Sequence, residues 1–148
     1  MTTTASAFAT FLMAHDALVL RIGETLKQAN QPEINWYVVL WVLKRAPKER
    51  LRMSDLAEQA VMSRSNVTRL VDRMEKAGLV RRERVSGDRR GAYTCLTPAG
   101  KKKEREIWAV YGPAIDANFS RHLNAKENEL LCRLMSRLLA KNTESPDV

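Results

Sequence analysis

A mainly helical chain broken by one small β-hairpin, an α+β arrangement, is predicted from three observations. Val67, Leu70, Val71 and Met74 stand at i, i+3, i+4 and i+7, the spacing of one buried helix face. Leu79 to Val85 and Ala92 to Leu96 are strand-like, rich in aliphatic or β-branched residues, and enclose Ser86-Gly87-Asp88-Arg89-Arg90-Gly91. Both ends of the chain carry long apolar stripes at helical spacing. At 148 residues, 45% hydrophobic and 28% charged, the chain is long enough for one domain with a real core.

The elements follow in order. Phe8, Phe11, Leu12, His15, Leu18, Val19, Ile22 and Leu26 step along one face of a long first helix that ends near Asn30-Gln31-Pro32. A second helix runs from Asn35 to Arg45 and carries Trp36, Tyr37 and Trp41. Leu56, Ala57 and Ala60 give a short third helix one apolar side, and Val61-Met62-Ser63 is a tight connection to the fourth. Ser63 suits the N-cap of that fourth helix, because its hydroxyl can accept from a free amide in the first turn. Gly78 suits its end, where a left-handed residue costs glycine little. After the hairpin, Thr97 as N-cap and Pro98 at the first helical position open a helix running to Ser120, which Tyr111-Gly112-Pro113 should bend. Leu130, Leu131, Leu134, Met135, Leu138 and Leu139 form the broad stripe of the last helix.

The chemistry lies in the middle. Advancing about 100° per residue puts Ser65, Arg69, Asp72 and Lys76 opposite the buried stripe, with Asn66, Thr68 and Arg73 along the flanks. Guanidinium and amide groups can bond base edges bidentately, and an α-helix fits the major groove, so this face suits duplex reading. Arg64, near the helix N-terminus, is placed for a phosphate. A hairpin tip holding Arg89 and Arg90 between glycines suits the narrow minor groove, whose negative potential attracts guanidinium, and Asp88 can orient a neighbouring arginine. Two helices and a basic hairpin in this order make a winged helix-turn-helix, flanked by helices it does not need for its own core. Their apolar faces need a partner, and a second copy of the chain is the economical one.

The runs Leu70-Val71-Asp72-Arg73-Met74-Glu75-Lys76-Ala77-Gly78-Leu79-Val80, Asp88-Arg89-Arg90-Gly91 and Leu96-Thr97-Pro98-Ala99-Gly100 resemble the MarR family of winged helix-turn-helix transcription regulators. The resemblance covers roughly residues 8 to 140. It implies one domain, with 34–97 as the DNA-binding region and 8–30 and 98–141 as the dimerisation region. It further implies a homodimer whose recognition helices enter successive major grooves of double-stranded DNA while wing arginines reach the flanking minor grooves. By position, Ser63 through Arg73 match the recognition helix and Asp88 and Arg90 match the wing. The expected function is a ligand-responsive repressor on a pseudo-palindromic operator. A small aromatic or phenolic effector is implied, with His15, Trp36, Trp41, Trp108 and Tyr111 as its candidate contacts; aromatics at such spacings are more often core than pocket.

Charge placement agrees with this reading. Lys+Arg number 25 against 17 Asp+Glu, net +8; between Lys44 and Arg105 the count is 18 against 8, net +10, and elsewhere 7 against 9, net −2. The positive excess therefore surrounds the reading head, where phosphate contact explains it better than an anionic membrane does. No transmembrane run of about twenty apolar residues is expected, the first residues lack the basic start of a secretion signal, and the protein is expected in the cytoplasm with no membrane contact. Cys95 and Cys132 offer no disulfide framework, and with His15 and His122 they form no metal-ligand spacing, so neither metal nor other cofactor is expected. No nucleophile motif, phosphate loop or carboxylate pair points to an enzyme.

Two alternatives remain at this stage. A protein-interaction module would not require arginines at the wing tip. A thiol-based redox sensor of the family carries a cysteine near the start of the first helix, and this chain has none there. Cys132, among leucines, reads as a small apolar residue instead.

Overall fold

The computed structural model describes residues 3–87 and 91–143. Its elements are α1 (Thr3–Gln28), α2 (Ile34–Arg45), β1 (Arg50–Arg52), α3 (Met53–Gln59), α4 (Arg64–Lys76), β2 (Val80–Arg84), β3 (Ala92–Leu96), α5 (Pro98–Asn118) and α6 (Ala125–Thr143), with single 3₁₀ turns at Pro47–Glu49 and Ser120–His122. The chain forms two compact units, Leu26–Val110 and the residues up to Thr25 together with those from Tyr111 onward. The boundaries fall inside α1 and α5 rather than in loops. All of the positive excess between Lys44 and Arg105 belongs to the first of these units.

In the Leu26–Val110 unit, a three-stranded antiparallel sheet has the order β1-β3-β2. Leu51 and Arg82 both stand opposite Thr94, which is fully buried at the sheet centre. The apolar stripe of α4, Val67, Leu70, Val71 and Met74, is buried as its spacing requires, against Leu40 and Leu43 of α2, Leu56 of α3 and Val80 of β2 in one core. Burial of each such side chain is worth roughly 1.5–3 kcal/mol, which fixes the roll of α4 and hence which residues it turns outward. The strand β1 was not foreseen. Arg50-Leu51-Arg52 has a single apolar residue, Leu51, and three residues are too few for an alternation to register.

Three helices in this unit stop in the same way. After α4 the amides of Gly78 and Leu79 donate to the carbonyls of Glu75 (2.9 Å) and Met74 (3.0 Å), with Gly78 at φ +74° and Leu79 and Met74 both buried. After α1 Asn30, at φ +55°, holds the left-handed position, and after α3 it is Val61, at φ +53°. The bonds are again there: Val61 to Glu58 at 3.1 Å and Met62 to Ala57 at 2.9 Å. A β-branched residue is badly suited to that conformation, and Val61 is 63% exposed, so its side chain recovers little by packing. Val61→Gly is therefore expected to raise folding stability by about 1 kcal/mol, the left-handed penalty outweighing glycine's larger unfolded-state entropy. A denaturant midpoint at or below wild type would refute this.

The start of α5 is locked to the end of α4. Thr97 Oγ1 accepts from the Gly100 amide at 3.0 Å and donates to the Gly78 carbonyl at 2.7 Å, while the Thr97 amide donates to the Leu79 carbonyl at 3.2 Å. Gly100 lies so close to this junction that a Cβ would strike the Leu79 carbonyl oxygen and come within 2.7 Å of Leu96 Cδ1.

In the other unit, α5 continues without interruption through Pro113 to Asn118, two residues short of the expected end. The side chain of Asn124 accepts from the Glu127 amide (3.0 Å) and that of Glu127 from the Asn124 amide (2.8 Å), a capping box that starts α6. Leu131, Leu134 and Met135 are half-buried, whereas Leu130, Leu138 and Leu139 are exposed, as are Phe8, Phe11, Leu12, Val19 and Leu20 on α1. Cys132 is exposed too, against the expectation of an apolar role. It lies about 100° around α6 from Leu131, off the half-buried stripe. By length and composition Ser6–Gln28 could also cross a bilayer. Its apolar residues come in short runs such as Phe11-Leu12-Met13-Ala14 and Ala17-Leu18-Val19-Leu20, broken by His15, Asp16 and Arg21.

Candidate nucleic-acid interface

Ser63 caps α4 as expected: its Oγ accepts from the Asn66 amide at 3.2 Å. With the apolar stripe buried, Arg64, Ser65, Asn66, Arg69, Asp72, Arg73 and Lys76 are exposed. Thr68 is half-buried, and its hydroxyl donates to the Arg64 carbonyl at 2.8 Å, which commits its one donor and leaves its oxygen to accept. Arg69 lies along the helix, with Nη2 donating to Asn66 Oδ1 at 3.2 Å and Nε to the Ser65 carbonyl at 3.4 Å. Ser65, Asn66 and Arg69 thus form one polar cluster at the N-terminal half of α4, where free amides and the positive helix end also favour an anionic polymer.

Arg73 is placed differently. Its Nη2 donates to Glu33 Oε1 at 3.2 Å, and its guanidinium lies 5.5 Å from the Trp36 ring, so it is drawn toward the start of α2. Asn66, Arg69 and Arg73 line one side of an open cavity of about 390 Å³ whose other side is Glu33, Asn35 and Met62. Asp88, Arg89 and Arg90 lie outside the described residues. At the base of the hairpin the Val85 amide donates to the Gly91 carbonyl at 3.1 Å, so both strands reach the tip in register, and Gly87 takes φ +91°.

Sequence reasoning missed the charge network behind the reading face. Arg82 of β2 bonds Asp72 at 2.6 Å and Glu75 at 3.0 Å, both on α4. Glu83 bonds Arg50 at 3.2 Å and Arg81 at 3.0 Å. The Arg81 hydrogen bond, then that of the Cys95 thiol, holds the Glu83 carboxyl below its ordinary pKa. Burial, then donation to Glu83 at 3.5 Å, pushes the Cys95 thiol up. A raised pKa leaves the unreactive thiol form, so native Cys95 is expected to resist alkylation at pH 8 until the chain unfolds. Labelling of folded protein at the rate of a free thiol would contradict this. Arg50 and Arg52 flank Tyr93, their guanidinium carbons 4.4 and 5.6 Å from its ring centroid. No local signal marks these contacts, because they follow from the pairing of β1 with β3.

Trp41 and Trp108 line an open cavity of about 730 Å³ with Tyr37, Lys44, Arg45, Glu104 and Arg105. Tyr37 and Trp108 stack at 5.6 Å, and the Arg45 guanidinium lies 4.6 Å over Trp41. Glu104 is only 5% exposed and is held by Lys44 Nζ at 2.8 Å. Trp36 is beside Arg73 instead, its buried Nε1 without a hydrogen-bond acceptor. His15 and Tyr111 belong to the other unit. His15 there is exposed, 3.1 Å from Asp16, and half-burial raises the Tyr111 phenol pKa.

Known proteins give the same picture. A family model described as the MarR family matches residues 32–91. The HTH-type transcriptional regulator FarR of Neisseria gonorrhoeae is 33% identical over 132 residues, 88% of this chain and 86% of that one. Sco3205, a MarR family regulator of Streptomyces coelicolor solved in complex with DNA, superposes with a TM-score of 0.87 at 27% identity, over 99% of this chain and 91% of its own. NadR, solved with 4-hydroxyphenylacetate, superposes with a TM-score of 0.69 at 29% identity, over 99% and 98% of the two chains. Helix-turn-helix, basic hairpin and whole-chain likeness agree, and the chain belongs to the MarR family of DNA-binding winged helix-turn-helix transcriptional regulators, which are not enzymes.

Proposed function

We propose that this protein is a ligand-responsive repressor that binds a pseudo-palindromic operator as a homodimer in the cytoplasm. The observation that carries the DNA reading is the exposed cluster of Ser65, Asn66 and Arg69 on a helix whose opposite face is locked into the core. Support for the dimer comes from the exposed Phe8, Phe11, Leu20, Leu130 and Leu138 on two helices of one unit, large apolar side chains turned to solvent in the single chain. Two-fold protein symmetry then imposes two-fold DNA symmetry, with half-site centres about one helical turn apart. Sedimentation is expected to give twice the chain mass, and footprinting on duplexes selected by the protein is expected to give an inverted repeat. A monomer on DNA, or a single unsymmetrical half-site, would refute the proposal.

For the effector, the Trp41–Trp108 cavity is the favoured seat. Its volume suits a small molecule, its stacked rings suit an aromatic, and Arg45 and Arg105 suit a carboxylate, Lys44 being taken by Glu104. The 4-hydroxyphenylacetate of NadR has this chemistry. Titrating 4-hydroxyphenylacetate is expected to quench tryptophan fluorescence and weaken operator binding, with Trp108→Ala abolishing both responses. Unchanged titration of Trp108→Ala would remove the cavity from the effector reading.

A further inference from the structure

Asp72 is an acidic residue on the same outward line of α4 as Ser65 and Arg69. A bare carboxylate there would repel phosphate, and it stands three residues after Arg69, a spacing at which opposite charges on a helix pair. Its side chain is 49% exposed, yet Arg82 Nη2 occupies it at 2.6 Å from β2. The same guanidinium donates through Nη1 to Glu75 Oε1 at 3.0 Å, and the Arg82 backbone amide donates to Glu75 Oε2 at 2.8 Å. Because β2 is an edge strand, that amide is one its sheet neighbour leaves free, and Glu75 satisfies it. Arg82 itself is only 29% exposed, behind the reading face rather than on it.

We propose that Arg82 is a positioning residue for DNA reading: it occupies Asp72 and Glu75 from the wing strand, masks their charge, and thereby keeps Arg69 available for bases. Among the described residues, the oxygens that Arg69 bonds are neutral, Asn66 Oδ1 at 3.2 Å and the Ser65 carbonyl at 3.4 Å. A charge-assisted pair is about twice as strong as such bonds, so an unmasked Asp72 would draw Arg69 along the helix and out of the groove. Unmasked Glu75 would add repulsion at the neighbouring phosphates. This inference rests on α4 being the reading helix.

The test uses full-length protein and a duplex that the wild type selects from a randomised pool, beside an unselected duplex of equal length. Arg82→Ala is expected to lose about tenfold in affinity for the selected duplex, with the selected-to-unselected ratio falling toward one. Adding Asp72→Asn to that variant should restore most of the ratio, because the competing carboxylate is gone although the anchor to β2 is still missing. A purely structural role for Arg82 would not be rescued by Asp72→Asn. Arg82→Gln keeps a donor for both carboxylates without the charge, and it carries the same prediction if Arg82→Ala fails to fold by circular dichroism. Wild-type ratio in the single variants, or no rescue in the double, overturns the proposal. If the wild type selects no duplex, or Arg69→Ala leaves the ratio intact, the reading role of α4 fails with it.

Discussion

Gly100→Ala is expected to destabilise the fold by about 3 kcal/mol, the upper end of the usual cost of forcing a methyl group into filled space. The added Cβ would run into the Leu79 carbonyl oxygen and press on Leu96 Cδ1. That carbonyl cannot step aside, because it accepts from the Thr97 amide at 3.2 Å, and Thr97 is itself tied to Gly78 at 2.7 Å. Relief must come from moving the first turn of α5 away from the end of α4, which breaks the Thr97 cap. The helix interior has no conformational objection to alanine, and on propensity alone the change would stabilise by up to about 1 kcal/mol. Collision therefore opposes propensity at one position, and collision is expected to win. Equilibrium unfolding in urea reads the difference, and a variant as stable as wild type would show that the junction yields.

Arg69→Ala is expected to cost about 1–3 kcal/mol of discrimination between operator and unrelated duplex, with a much smaller loss on unrelated DNA. Arg69 is exposed and follows Ser65 by one helical turn, and Asn66 holds its guanidinium. Arg64, in the first turn, is expected to behave oppositely when replaced by alanine, with similar losses on every sequence and a shallower salt dependence. Arg73→Ala should fall between, since Glu33 at 3.2 Å already takes part of its charge. Binding isotherms at two salt concentrations on both duplexes separate the three. Equal losses on both duplexes for Arg69→Ala would remove it from base reading.

What the sequence revealed and what it hid divide along a physical line. The stripe of α4, the Ser63 cap, the Gly78 stop and the paired strands rest on local rules, and the structure contains all of them. The partners of Arg82 and Glu83 do not rest on such rules. They depend on the sheet's register and on which side of β2 faces α4, and nothing in Val80-Arg81-Arg82-Glu83-Arg84 says which arginine turns inward. Val61 was hidden for another reason: a left-handed helix stop is signalled by glycine or asparagine, and valine gives no such signal. Helical spacing places Trp36 and Trp41 on different sides of α2, so Trp41 lines the cavity with Trp108 while Trp36 lies beside Arg73, and which side faces which neighbour is set by tertiary packing.

Because β3 lies between β1 and β2, the sheet has an order of assembly. β2 and β3 are joined by the seven residues 85–91, while 39 residues, 53–91, separate β1 from the same strand. Closing the longer loop costs about 1.5 kcal/mol more in chain entropy. During synthesis β1 leaves the ribosome early, but its partners are complete only when Cys95 has followed. The hairpin is therefore the native seed of the sheet, and Arg50-Leu51-Arg52 docks onto it afterwards with only three residues to hold it. In native-state hydrogen exchange the β1 amides should open with lower free energies than those shared by β2 and β3. The chain forms its hairpin before it docks the strand that braces it.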